Sequence, residues 1–269
     1  PDRKGIARMK RVVTISRRWV RVWQRNLKVY RQTWKISFLP PLLEPIFYLA
    51  AFGIGLGSLV GDFTYGSSSI AYLPFFAPAL VAITIMYNAF FETSYASFVR
   101  MYYQKTFDAM LATPLTLEEV IIGEITWAAT KSVIAAFLMQ IVISLAGLVQ
   151  YPSGLLLPAV AVLGGLAFAA IGMVFTSLVP NIETFNLPIF LFVTPMFLFS
   201  GTFFPLQNLP IWAQWLACLF PLTHLTLLVR ACALNSLAPS LIWSLFYLLT
   251  FFLITSLLAL RGMHKRLIK

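Results

Sequence analysis

Glu44, Glu92, Glu124, Lys131 and Glu183 stand in or beside stretches that are otherwise apolar. Charge in hydrocarbon is costly, so such residues face a bundle interior, a cavity or the headgroup interface. That placement allows two kinds of chemistry. A carboxylate lining a cavity can relay protons or contact a partner, whereas one beside a cation forms an internal ion pair. Glu124 and Lys131 are seven residues apart on one helical face, which favours internal salt bridging or snorkelling for both. For Glu44 and Glu92 both readings stay open, and Glu183 closes a turn. Catalytic patterns are missing. No Gly is followed by Lys, so there is no Walker A loop to cradle phosphates. His-Glu-x-x-His and Cys-x-x-Cys patterns are absent, and His224 and His264 lie 40 residues apart without evident co-ligands. No nucleophile and base stand at a meaningful spacing. The residues therefore point to no catalytic, cofactor or metal site in this chain.

Aromatic rings form the second group with chemical potential, and Phe alone numbers 24. Tyr48 and Phe52 lie on the first apolar stretch, Tyr87, Phe91 and Tyr95 share one helical face of the second, and Phe197 and Phe199 lie on the fifth. Rings lining a path can stack on sugars or slide along lipid. Packing against lipid accounts for them equally well.

The elements that must carry these residues follow from composition. Of 269 residues, 59% are hydrophobic and only 11% charged, against about 25% charged in a typical soluble domain. Mean hydropathy is +0.83. Between Lys131 and Glu183 lie 51 residues without Asp, Glu, Lys or Arg, with 46 more before Arg230 and 30 more before Arg261. A membrane span needs about 20 apolar residues. This is an integral membrane protein. The net charge of +11 does not imply a nucleic-acid partner, because 12 of the 20 basic residues fall within positions 1–35 and four more within 261–269. Cations gathered against the ends of apolar segments follow the positive-inside rule and place both termini in the cytoplasm.

The expected fold is all-α: six transmembrane helices preceded by an amphipathic in-plane helix, with short re-entrant helices between helices 5 and 6. Residues 1–36 form the basic segment, in which Val12, Ile15, Trp19, Trp23, Leu27, Tyr30 and Trp34 recur at helical spacing. Trp19, Trp23 and Trp34 are its expected interfacial anchors among membrane lipids. The transmembrane domain covers 37–262, with spans at about 38–60, 72–99, 120–148, 155–179, 184–200 and 239–260. Pro40, Pro41 and Pro45 would start the first span. Thr116 to Glu119 reads as a capping box that opens the third. Gly164, Gly165, Ala169 and Gly172 suggest close helix approach in the fourth. Residues 203–236 are apolar but cut by Pro205, Pro210 and Pro221 into pieces too short to cross, and a basic tail occupies 263–269. A bond between Cys218 and Cys232 stays open.

The loop 100–119 brackets a short apolar face, Phe107, Met110 and Leu111, with charge. The stretch ETSYASFVRMYYQKTFDAMLATPLTLEEVIIGEI (92–125), followed by TWAATK, resembles the membrane subunit of ABC-2 type exporters, in particular the NodJ branch. PMFLFSGTFFPLQNLP (195–210) and FPLTHLTLLVR (220–230) carry the same likeness, which runs from Val20 to about Leu260. The resemblance implies a homodimer served by two copies of a soluble ATPase subunit, with ATP and Mg bound in that partner. It makes Thr106 to Pro114 a coupling helix in the ATPase groove, beside the in-plane helix. Arg100, Lys105 and Asp108 would be polar contacts to it, and Phe107 and Met110 an apolar knob. Residues 203–236 would cap the path, which spans one, two and five of two copies would line. Relatives export polysaccharides, teichoic acids, lipo-oligosaccharides or drugs, and the NodJ branch a lipochitooligosaccharide. The implied setting is the bacterial inner membrane.

Two other classes compete. A secondary transporter or channel would use the buried carboxylates without an ATPase, and a membrane scaffold would transport nothing.

Overall fold

The computed structural model describes residues 16–56, 63–65 and 68–267. Val12, Ile15 and the start of the basic segment lie outside these. Among the described residues, four helical stretches are long and apolar enough to cross a membrane: Tyr72–Tyr103, Leu117–Leu145, Ser153–Leu178 and Leu241–Leu267. A bent helix pair makes a fifth if it is one span. The described residues thus form a helical membrane bundle with four to five candidate spans.

Helix α1 (Trp19–Ala50) runs unbroken into a π-helical turn, Ala51–Leu56. The expected in-plane helix and first span are therefore one element. Pro40, Pro41 and Pro45 lie inside it rather than at a helix start. Ile36 and Ser37 do not stop the helix between Lys35 and Phe38, and it runs on into the prolines. A small antiparallel hairpin, β1 (Phe63–Tyr65) with β2 (Ser68–Ile70), leads into α2 (Tyr72–Phe91). Beyond α2 the helix continues through π-helical turns at Glu92–Ala96 and Val99–Tyr103. Next come the short α3 (Thr106–Leu111) and α4 (Leu117–Leu145). Thr116 and Glu119 make the expected capping box: Thr116 N donates to Glu119 Oε2 at 3.0 Å, and Glu119 N to Thr116 Oγ1 at 3.3 Å.

Helix α5 (Leu157–Leu178) packs between α4, α2 and the last helix, and its small residues set those distances. A Cβ on Gly165 would fall 3.1 Å from Ala129 Cα, and one on Gly172 2.8 Å from the Phe90 carbonyl oxygen. Backbones approach this closely only where side chains are absent, the usual basis of helix association in lipid. Thr176 adds an interhelical bond, its hydroxyl donating to the Thr93 carbonyl at 2.7 Å.

The apolar stretch Glu183–Phe199 contains α6 (Asn186–Pro188), a π turn at Ile189–Val193 and α7 (Thr194–Phe199). Pro188 and Pro195 break its ladder, and it is too short to qualify as a span by length. Helices α8 (Ile211–Leu219) and α9 (Pro221–Ala233) begin directly at Pro210 and Pro221 and meet at 87°. Helix α10 (Leu241–Leu267) closes the bundle. Cys218 and Cys232 are free thiols, the first exposed and the second buried.

Both described ends of the chain lie at one end of the bundle, here the basal end. Arg18 donates to the Pro114 carbonyl at 2.8 Å, His264 pairs with Glu118, and Arg266 donates to the Val179 carbonyl at 2.6 Å. The opposite, apical end carries α8 and α9.

Candidate functional site

At the basal end, α1, α2 and α4 enclose a network of buried charge. Arg100, on the last π turn after α2, bridges two carboxylates: its Nη1 donates to Glu92 Oε1 at 2.9 Å and its Nε to Glu124 Oε2 at 3.0 Å. Lys131 Nζ meets Glu92 Oε2 at 2.7 Å, and Trp127 Nε1 donates to Glu92 Oε1 at 3.1 Å. Glu124, fully buried, also accepts from Asn26 of α1 at 2.8 Å and from the Ser97 hydroxyl at 2.7 Å. The internal salt bridging expected of Glu124 and Lys131 is present, with partners on the continuation of α2: Glu124 pairs with Arg100 and Lys131 with Glu92. Each carboxylate takes a partner from a neighbouring helix, because Arg100 can fork across both at once. Arg25 completes the cluster by donating to the Asn26 side-chain oxygen at 2.9 Å. Burial lowers its pKa, and the Glu124 charge opposes that shift.

This corrects the expected role of Arg100, which turns inward and does not present itself to a partner. Trp23 likewise turns inward: its indole donates to Thr130 Oγ1 at 3.0 Å and meets Trp127 edge-on at 6.5 Å. Trp19 is half-buried beside Gly123, and Trp34 is exposed. Glu44 lies on α1 with its side chain outside the described atoms, and Glu183 is exposed.

Five residues after Arg100 the chain turns sharply. Lys105 adopts φ 53°, in the left-handed region, and starts α3. Phe107 is fully buried and Met110 is nearly so, so the expected apolar knob points into the protein. These two side chains bolt α3 to the bundle. The exposed residues of α3 and its flanks include Tyr102, Tyr103, Gln104, Lys105, Asp108 and Pro114, with Thr106 and Leu111 half-buried. Lys105 Nζ sits 5.3 Å from the Tyr102 ring centroid.

Most of the sequence-selected rings join one track along α2. Phe52 meets Phe76 at 4.6 Å and Phe203 at 5.8 Å, with Tyr48 6.1 Å behind it. Phe203 meets Phe197 at 5.0 Å, and Phe197 meets Tyr87 at 6.0 Å. Tyr87, Phe91 and Tyr95 follow at 5.6 and 5.7 Å, and Phe185 receives Tyr95 at 4.9 Å. Tyr48, Phe52, Tyr87, Phe91, Tyr95 and Phe197 are all half-buried, so one edge of the track stays open. Phe199 packs on Trp212 instead.

Sequence reasoning missed Arg25, Asn26, Trp127 and Arg230 as site residues. Arg230, buried on α9, donates to the carbonyls of Phe75 at 3.1 Å and Gly201 at 2.9 Å and lies over the Phe75 ring. Its isolation between two long uncharged runs was the available signal. Asn26 and Trp127 carried none.

The family of this helical membrane bundle follows from comparison. The ABC-2 type transporter family profile matches residues 17–234, and the chain belongs to that family. It is 40% identical over 215 residues to nodulation protein J of Rhizobium leguminosarum bv. trifolii, covering 80% of each chain. To nodulation protein J of Sinorhizobium fredii it is 38% identical over 217 residues, 81% of each. A more distant relative is a probable multidrug ABC transporter permease, YbhR, of Escherichia coli. That match is 28% identical over 181 residues, 65% of this chain and 48% of the relative.

Proposed function

We propose that this permease is the membrane subunit of an ATP-driven exporter of the bacterial inner membrane. Two copies form the path and two separate soluble ATPase subunits drive it, with both termini on the ATPase side. The cargo is a lipid-linked glycan, a lipo-oligosaccharide or another amphiphile, in keeping with the nodulation-protein relatives. ATP and Mg belong to the partner, and the chemistry is all there. This chain supplies path and lever.

One observation carries the reading: α3 is fastened to the bundle from beneath, and the turn just before it is fastened to the spans. Phe107 and Met110 bury beneath it, and Arg100 just upstream grips Glu92 of α2's continuation and Glu124 of α4. A displacement of α3 by a docked ATPase moves these helices together, because buried charge pairs resist separation. The exposed face of α3, with Lys105 and Asp108, is the docking surface. The open edge of the aromatic track, from Phe52 to Tyr95, lines the path against the second copy. The paired state of Glu92 and Glu124 argues against a free carboxylate relay, and so against the secondary-transporter alternative.

The test is the double variant Lys105→Glu, Asp108→Arg, with both side chains exposed. Export and substrate-stimulated ATP hydrolysis should fall at least tenfold while the melting temperature of the chain stays unchanged. Undiminished export would overturn the docking assignment.

A further inference from the structure

The basal cavity between α1, the end of α2 with its continuation, and α4 has a volume of about 580 Å3. That lies within the range of a small-molecule site, about 300–1,000 Å3. The charge around it does not balance. Three cations, Arg25, Arg100 and Lys131, line the wall against two carboxylates, Glu92 in the wall and the buried Glu124. Arg100 and Lys131 are held by those carboxylates. Among the described residues Arg25 forms no ion pair, and its guanidinium, which has several donors, gives one bond to Asn26. One positive charge is therefore left over, on a half-buried arginine that faces the cavity.

The rest of the wall is graded along α2. Gln104, exposed, stands at the basal end of the continuation. Tyr95, Phe91 and Tyr87 follow away from it, their ring centroids 5.7 and 5.6 Å apart and each ring half-buried. A polar mouth with a surplus cation leads into an apolar row, and the ligand that matches both is an anion carrying a hydrocarbon chain. The size of the surplus selects the head. One uncompensated cation suits a monoanion such as a phosphodiester, whereas a free phosphate brings up to two charges and nothing to cover the rings. The guanidinium fork fits phosphate oxygens, and basic pockets between membrane helices at headgroup level are a recurring form of phospholipid site. Lys28 and Arg31, exposed on α1, extend the positive field around the mouth.

We propose that this cavity holds one anionic phospholipid, its phosphodiester on Arg25 and a chain along Tyr95, Phe91 and Tyr87. The binding does not depend on the exporter reading; under that reading the lipid covers the basal rings of the track when cargo is absent. The test takes the full-length chain, delipidated in neutral detergent, and offers phosphatidylglycerol and phosphatidylcholine with the same acyl chains at equal concentration. Retained lipid is read by native mass spectrometry. Phosphatidylglycerol should stay bound, one per chain, with at least a tenfold preference. Arg25→Gln should cut that preference at least fivefold and Arg25→Lys should restore part of it. Arg31→Gln, the same loss of charge at an exposed site of α1 outside the cavity, should leave it unchanged. Gln104→Glu, an exposed change at the mouth, should cut it as far as Arg25→Gln does, which keeps the test decisive if Arg25→Gln does not fold. Phe91→Ala should weaken retention of both lipids alike. Equal retention of the two lipids overturns the proposal, as does a preference that survives Arg25→Gln or Gln104→Glu. Displacement of the lipid by inorganic phosphate or pyrophosphate overturns it too, and would make the cavity a site for the free anion.

Discussion

The two ends of the bundle are held together by different means. In the basal charge network side chain meets side chain, Arg100, Lys131 and Asn26 satisfying Glu92 and Glu124 across three helices, although Arg18 and Arg266 at the same end bond to main-chain carbonyls. At the apical end side chains mostly meet the main chain. Arg230 bonds to the carbonyls of Phe75 and Gly201, Ser153 to that of Cys232, and Gln140 to that of Gly154. Gly201 takes φ +68°, a turn that a side chain would strain. The basal end therefore depends on the identity of particular residues. The apical end depends on a backbone shape that prolines and a glycine impose. A lever must transmit force without slipping, which suits the first design, and α8 and α9 meet at a sharp angle that suits the second.

The contrast predicts an ordering of damage. Arg100→Ala leaves the buried Glu124 without its cation, while Glu92 keeps Lys131, and should cost about 3–5 kcal/mol, read as a large fall in melting temperature in nanodiscs. Arg100→Lys should recover only part, since an ammonium cannot fork across both groups. Full stability in Arg100→Ala would break the comparison. Phe107→Ala should cost about 3 kcal/mol, at the low end of buried Phe truncations, and expose residues 104–113 to protease. Phe107→Asp should misfold outright, since that ring is fully buried. Arg230→Met strands two backbone carbonyls, and at about 1–3 kcal/mol should be milder than Arg100→Ala in the same melting assay. An apical loss as large as the basal one would contradict the contrast. His264→Ala should cost no more than about 1 kcal/mol, because the His264 side chain is 37% exposed and such pairs contribute little.

Local signals in the sequence were realised, and cross-helix ones were not legible. Thr116 and Glu119 capped α4 as their spacing dictates, because both partners lie within one turn. Pro210 and Pro221 opened α8 and α9 for an equally local reason. The close approach at Gly165 and Gly172 was readable from residue size alone. By contrast, Glu124 and Lys131 share a helical face, yet each found its partner elsewhere. Spacing along one helix reports which residues are neighbours there, not which charge a second helix brings. Phe107 was ambiguous in the same way: a short apolar face predicts amphipathicity, but not whether that face turns in or out. The Arg-rich start of α1 hid its continuity, because composition changes at Lys35 while the helical register does not.

The account stands on a division of labour between a permease that moves and a separate engine that moves it. Its most direct test is flux in proteoliposomes holding the purified chain, with and without a co-purified ATPase subunit. The account predicts export of an amphiphilic glycan only when both proteins and ATP are present. Robust flux by the chain alone, indifferent to ATP, would contradict it.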